Sequence, residues 1–260
     1  MVSFSTRLED DLLRRDFTVN AMAVDVVDET LHDPLGGQAD LDARLLRTPL
    51  APEESFSDDP LRTLRAARFL AGYGLTAAPG LLEAAGAVAE RLRIVSAERI
   101  RDELWRLLAL PDPGVGLAFL DGARLLPLLL PELSDRSAQE RAEAFRRSAV
   151  AEPVPEVRLA ALLLEMPAPG LDGRLRALRL SGEQRTTVLA LVSAVGRIRE
   201  RTDDGWSDEA VRRLAASAGD HLAGAVALAS AAGVATGVLE TRLDALRADG
   251  ELDDLGPVLG

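Results

Sequence analysis

From Ser57 to its C-terminus the chain repeats apolar residues at helical spacing and offers almost nothing else, which constrains its fold more than any other feature. The spacing predicts helices over 58–73, 78–91, 96–110, 114–122, 136–148, 155–165, 172–179, 182–200, 207–217, 220–231 and 235–248. Their breaks fall at Gly72–Gly74, Pro111–Gly114, Pro127–Pro131, Pro153–Pro155, Pro167–Gly170 and Asp203–Gly205, where helix-terminating residues cluster. Apolar residues make up 47% and aromatics only 3%, so Leu, Ala and Val must fill the interior. The residues before Ser57 read differently. Ala23-Val24-Asp25-Val26-Val27 alternates and is β-branched, Asp28-Glu29-Thr30 supplies turn chemistry, and Leu31-His32 offers a return strand. A helix through Phe17–Met22 capped by Asp16 is expected before that hairpin, and a second over Gln38–Leu46 after the Gly36-Gly37 turn. The fold class is therefore mainly α, with a short β-hairpin as the remnant of an α+β unit.

A hairpin with one or two helices cannot cover both faces of a sheet, and an isolated two-stranded ribbon is marginal in water. Missing strands are expected, from a partner chain or from sequence upstream of Met1. The 260 residues suffice for two compact units. The absence of cysteine excludes disulfides, thiolate metal sites and cysteine nucleophiles. All 30 basic residues are Arg, which excludes lysine chemistry. No apolar run approaches the ~20 residues that span a bilayer, and Met1-Val2-Ser3-Phe4-Ser5 is no signal peptide, so a cytoplasmic location is expected. A formal charge of −12 argues against general nucleic-acid affinity while leaving room for a local arginine patch.

Such a patch occurs at Ser57-Asp58-Asp59-Pro60-Leu61-Arg62-Thr63-Leu64-Arg65-Ala66-Ala67-Arg68-Phe69. Asp59 before Pro60 suits a helix N-cap with proline at the first helical position. The same Asp59, three residues before Arg62 on a helix, could instead present a carboxylate and a guanidinium on one face. Arg14 and Arg15 suit a polyphosphate, or a solvated pairing with Glu9, Asp10 or Asp11. Arg65 and Arg68 suit phosphate, or ion pairs with Asp58 or Glu54. Glu98, Arg99 and Glu103 are expected to bond one another.

Four segments together resemble the class II tRNA nucleotidyltransferase (CCA-adding enzyme) and bacterial poly(A) polymerase family. They are Arg14-Arg15-Asp16-Phe17-Thr18-Val19-Asn20-Ala21, Asp33-Pro34-Leu35-Gly36-Gly37-Gln38-Ala39-Asp40-Leu41, the Asp58–Phe69 segment, and Ser96-Ala97-Glu98-Arg99-Ile100-Arg101-Asp102-Glu103-Leu104. Gly122–Leu133 is similar to the helix that follows in that family. The resemblance implies a domain order of nucleotidyltransferase head (1–50), neck with base and RNA binding (51–133), and helical body and tail (134–260). It implies CCA addition to tRNA from CTP and ATP, with tRNA and nucleoside triphosphates, and neither DNA nor membrane, as partners. Asp59 and Arg62 would read the base. Arg14, Arg15 and Asp16 would meet ribose and triphosphate, with Asn20 holding the turn and Arg65 extending the arginine stripe. Asp33, Gly36 and Gly37 would form a hinge, and Glu98 with Arg99 would brace the neck.

The resemblance also implies Mg²⁺ held by an Asp-x-Asp pair after a Gly-Ser turn. Only 13 residues precede Arg14, and neither feature lies among them. Asp40-Leu41-Asp42 has the spacing, but on a helix positions i and i+2 diverge by ~200° and cannot share a metal. With only His32 and His221, a His-Asp phosphohydrolase module is not expected either. The metal ligands are thus expected to be absent and the chain a truncated member. Its abrupt ending at Gly256-Pro257-Val258-Leu259-Gly260 points the same way. A noncatalytic nucleotide-binding, tRNA-binding or helical interaction protein is the alternative.

Overall fold

The computed structural model describes residues 8–201 and 205–252. The expectations for Met1–Ser5, Asp203–Asp204 and Gly256–Gly260 concern residues outside these ranges. The chain divides into two compact units, Met1–Asp135 and Arg136–Gly260. Both are helical with leucine-rich and alanine-rich cores, and the only β-structure among the described residues is four two-residue strands.

In the first unit, α1 (Leu8–Leu13) leads into a 3-10 turn at Thr18–Asn20. The helix expected over Phe17–Met22 reduces to that turn, because the Asp16 carboxylate bonds the Phe17 amide and the Asn20 side chain instead of capping a longer helix. β1 (Ala23–Val24) and β2 (Leu31–His32) pair antiparallel, with Ala23 opposite His32 and Val24 opposite Leu31. Asp25 and Asp28 accept from the amides of Val27 and Thr30, and these Asx turns close the hairpin as its composition requires. α2 (Gly37–Asp42) is shorter than the expected Gln38–Leu46 helix. Arg44 adopts φ +52°, which ends it, and Leu45–Leu46 becomes β3, paired in parallel with β4 (Thr76–Ala77).

α4 (Arg62–Tyr73) is the helix expected over 58–73, begun four residues later, and it is preceded by a short unexpected helix, α3 (Pro52–Asp58). Asp59 precedes Pro60 and is driven to extended backbone, φ −137° and ψ 98°, as the residue before a proline usually is. The helix resumes one short turn later. α4 packs against α6 (Ala97–Leu108) and α7 (Gly114–Gly122). Between them, α5 (Leu81–Ala87) and a 3-10 segment (Ala89–Ile94) occupy the region expected to be one helix over 78–91. Gly122–Leu133 is likewise not one helix. Arg124 has φ +56°, and two short helices, α8 (Leu126–Leu129) and α9 (Pro131–Ser134), follow, each with a proline in its first turn.

The second unit contains α10 (Ala138–Val150), α11 (Pro155–Leu163), α12 (Ala168–Ala177), α13 (Gly182–Arg199), α14 (Asp208–Ala218), α15 (Leu222–Ala231) and α16 (Gly237–Ala248). Capping boxes at Ser137/Glu140 and Ser181/Gln184 fix the starts of α10 and α13. α13 is the central element, packed on α11, α12, α14 and α15. No helix among the described residues is long and apolar enough to cross a membrane.

Candidate nucleotide-binding site

The site grows from the junction of the Arg14–Asn20 segment with α4 and α6. Phe17 is fully buried, with its ring centroid 5.2 Å from that of Phe69 on α4. That contact brings the polar residues on either side of Phe17 against the arginines of α4. Asp16, only 6% exposed, accepts from the Phe17 amide (3.0 Å) and Asn20 Nδ2 (3.1 Å) on Oδ1. Its Oδ2 takes Arg65 Nε at 2.7 Å and Arg65 Nη2. Arg65 Nη1 also lies 3.6 Å from Glu103 Oε1 on α6. Glu103, itself buried, accepts Arg68 Nε at 2.8 Å and Arg106 Nη1 at 2.7 Å. Two buried carboxylates thus anchor three arginines, and the network ties the segment before the hairpin to α4 and α6.

The expected partners of these arginines differ from the observed ones. Arg65 and Arg68 pair with Asp16 and Glu103, not with Asp58 or Glu54, since the inward face of α4 presents them to buried carboxylates. Arg99 reaches Asp59 at 3.2 Å, and Glu103 takes arginines of α4 and α6, so those two do not bond each other. Arg15 pairs with Asp11 at 3.1 Å, as the surface reading allowed. With both side chains about half exposed, that pair contributes little and yields readily to a ligand.

Asp59 and Arg62 flank the first turn of α4. The Asp59 carbonyl accepts the Arg62 amide at 3.0 Å and its Oδ1 accepts the Leu61 amide at 3.2 Å. The N-cap position of α4 nevertheless falls at Leu61 and carries no side-chain cap, so Asp59 ends α3 instead of capping α4 as its sequence suggested. The Arg62 guanidinium donates from Nη1 to Ser55 Oγ (2.7 Å) and the Ser55 carbonyl (3.3 Å), and from Nη2 to the Arg14 carbonyl. Arg14, Asp16, Asn20, Asp59, Arg62, Arg65 and Arg99 consequently belong to one connected patch. Ser55 was not singled out by the sequence, since a serine within Pro52–Asp58 carries no local signal.

Asp33, Gly36 and Gly37 lie apart from this patch, at the start of α2. Asp33 accepts the amides of Gly37 (2.6 Å) and Gln38 (2.9 Å). Those backbone bonds, the Gln38 amide foremost, hold its carboxyl below its ordinary value. Gly36 has φ +71°, and Gly37 packs directly beneath the Thr18 carbonyl.

Asp40 and Asp42 do not fit a metal ion. Asp40 is buried against Thr18 Oγ1 and Arg47 Nε (3.0 Å), whereas Asp42 is exposed on the same helix. Among the described residues no three His, Asp or Glu side chains converge as donors.

Burial opposes ionisation of Asp16, but the bonds from Asn20 and Arg65, the Arg65 charge and the Phe17 amide outweigh it and lower its pKa. With the folded value depressed, the stabilisation is complete above the unfolded value of about 4 and is lost as pH falls through the folded one. Stability is therefore expected to drop below about pH 4, and Asp16→Asn is expected to flatten that acid limb. Urea midpoints across the acid range measure this, and an unchanged limb in the variant would refute the assignment.

Residues 1–47 match the poly(A) polymerase head domain, and residues 74–136 match a domain described as the probable RNA and SrmB-binding site of polymerase A. The A-adding tRNA nucleotidyltransferase of Deinococcus radiodurans is 45% identical over 139 residues, which are 52% of this chain and 31% of that protein. A multifunctional CCA protein of Pseudomonas syringae is 46% identical over 132 residues, 48% of this chain and 31% of its own length. The match thus spans about a third of these relatives. The Bacillus stearothermophilus CCA-adding enzyme, solved with CTP, superposes with a TM-score of 0.74 at 27% identity, covering 95% of this chain and 61% of that one. The Thermotoga maritima CCA-adding enzyme, solved with tRNA, shares the fold at a TM-score of 0.68 and 19% identity, over 97% of this chain and 63% of that one. Head and RNA-binding matches flank the arginine-rich turn at Asp59–Arg68, and together with these relatives they support a partial chain of the class II tRNA nucleotidyltransferase and poly(A) polymerase family.

Proposed function

We propose that this chain supplies nucleotide choice and RNA binding for the addition of C and A to tRNA 3′ ends in the cytoplasm. The observation that carries this reading is the arrangement at the start of α4. Asp59 and Arg62 stand three residues apart, each held by other partners and not neutralised by the other. Cytosine and adenine both set an exocyclic amino donor beside a ring-nitrogen acceptor. A carboxylate accepts from the amino group while a guanidinium donates to the ring nitrogen. Uracil and guanine place a carbonyl where the amino group would be, and leave the site's polar groups unpaired at about 1–3 kcal/mol each. Arg14 and Arg15, exposed and immediately before Asp16 in the chain, are available to the triphosphate. Asp16 and Arg65 act beneath them by fixing the segment, since their charges are already paired.

The Mg²⁺ and the transfer chemistry implied by the family are assigned to none of the described residues. Residues 51–133 are read as the neck that reads the base and contacts RNA, after head-derived residues 1–50. Residues 134–260 are read as body and tail. The fold shared with the tRNA-bound Thermotoga maritima enzyme, together with the RNA-binding match, supports tRNA as the partner.

Calorimetric titration of the chain with each nucleoside triphosphate tests the base-reading pair. The expected result is tighter binding of CTP and ATP than of UTP and GTP, with Arg62→Ala removing the preference while triphosphate binding through Arg14 and Arg15 persists. A preference that survives Arg62→Ala would overturn the reading.

A further inference from the structure

Opposite charges three residues apart at a helix start attract, and an unrestrained Asp59–Arg62 pair would satisfy itself and leave little for a base. The structure prevents this. Both hydrogen-bonding directions of Arg62 Nη1 are taken by Ser55, through Oγ at 2.7 Å and its carbonyl at 3.3 Å. Nη2 is taken by the Arg14 carbonyl. Ser55 is 1% exposed and sits on α3, seven residues before Arg62, so its hydroxyl is fixed by packing and cannot follow a moving guanidinium. Asp59 is turned the other way by Arg99 and the Leu61 amide.

We propose that Ser55 is a specificity-positioning residue. Its buried hydroxyl holds the Arg62 guanidinium off Asp59, so that Nε–H and one Nη2 hydrogen, which have no acceptor among the described residues, remain for the ring nitrogen of cytosine or adenine. The Arg14 carbonyl completes this clamp and places the Arg14-Arg15 pair beside the guanidinium it holds. The proposal rests on the reading of Asp59 and Arg62 as the base-selecting pair.

The test is the ratio of CTP to UTP affinity, measured by calorimetry on the whole chain. Ser55→Ala removes the hydroxyl with little change of shape. The ratio is expected to fall about tenfold, the scale of one hydrogen bond to a charged group. A serine that only stabilised the fold would weaken all four triphosphates equally and leave the ratio unchanged, and that result would overturn the proposal. In an Arg62→Ala background, Ser55→Ala should shift the ratio no further, because both residues act through one guanidinium. Ser55→Cys keeps the side-chain volume but offers a weak acceptor, and should lower the ratio independently should the alanine variant fold poorly. A wild-type chain with equal affinity for CTP and UTP would defeat the base-reading pair itself. A selective wild type with an unchanged Ser55→Ala ratio would defeat only the role of Ser55.

Discussion

Replacing Glu103 with alanine is expected to destabilise the first unit by about 3–5 kcal/mol, the loss seen when one partner of a buried ion pair is removed. Glu103 is 2% exposed and lies within ion-pair distance of Arg65, Arg68 and Arg106. The three arginines do not lose equally. Arg106 is 60% exposed and can turn to water, whereas Arg68 at 18% and Arg65 at 28% remain half-buried with a cation each. Arg65 keeps Asp16, so Arg68 bears most of the cost, with only its contact over the Phe69 ring at 4.9 Å to offset it. By the same logic Arg106→Ala should cost under about 1 kcal/mol. Urea unfolding followed by far-UV circular dichroism measures both. A Glu103→Ala loss below about 1 kcal/mol would show that the arginines reach solvent without it and that the network is not a structural hub.

That hub also marks how far local pattern carries. Most helices after Ser57 and the hairpin turn at Asp28-Glu29-Thr30 follow from periodicity and turn chemistry, which act over a few residues. One Asp59 carboxylate oxygen accepts the Leu61 amide and the other accepts Arg99, so a base would have to share the carboxylate with Arg99. What local pattern does not carry is the pairing of distant segments. Arg65 meets Asp16 from 49 residues away, and Arg99 meets Asp59 from 40. In both cases i,i+4 neighbours or members of the same motif were the nearer alternatives by sequence. The Leu45–Leu46 strand escaped for the same reason, since two residues have no period and their partner Thr76–Ala77 lies beyond two helices. Ser55 gives no signal at all until Arg62 is seen to fold back on it.

Gly37→Ala is expected to be the most disruptive small substitution in the N-terminal segment, at about 3 kcal/mol or more. A Cβ at Gly37 would fall 2.2 Å from the Thr18 carbonyl oxygen, 2.9 Å from its carbon and 3.0 Å from Met22 Cγ. The obstacle is backbone, so no rotamer relieves it. Thr18 cannot step aside cheaply either, as its amide donates to the Arg47 carbonyl at 2.9 Å and its hydroxyl to the buried Asp40. Either α2 lifts away, breaking the Asp33 bonds at its start, or the Thr18–Asn20 turn moves. The second course carries Asn20 off Asp16, loosens the Arg65 anchor, and so predicts weaker nucleotide binding together with lower stability. Two controls separate sterics from backbone strain. Gly36→Ala meets only the Arg47 Nη2 atom at 3.8 Å, so its cost is that of φ +71°, about 1–2 kcal/mol. Gly173→Ala, inside α12 with nothing within 4 Å, should stabilise by about 0.5–1 kcal/mol through helix propensity. Denaturant midpoints that rank Gly37→Ala no worse than Gly36→Ala would mean that α2 shifts without cost, and that the glycine does not hold the turn beneath the arginine patch.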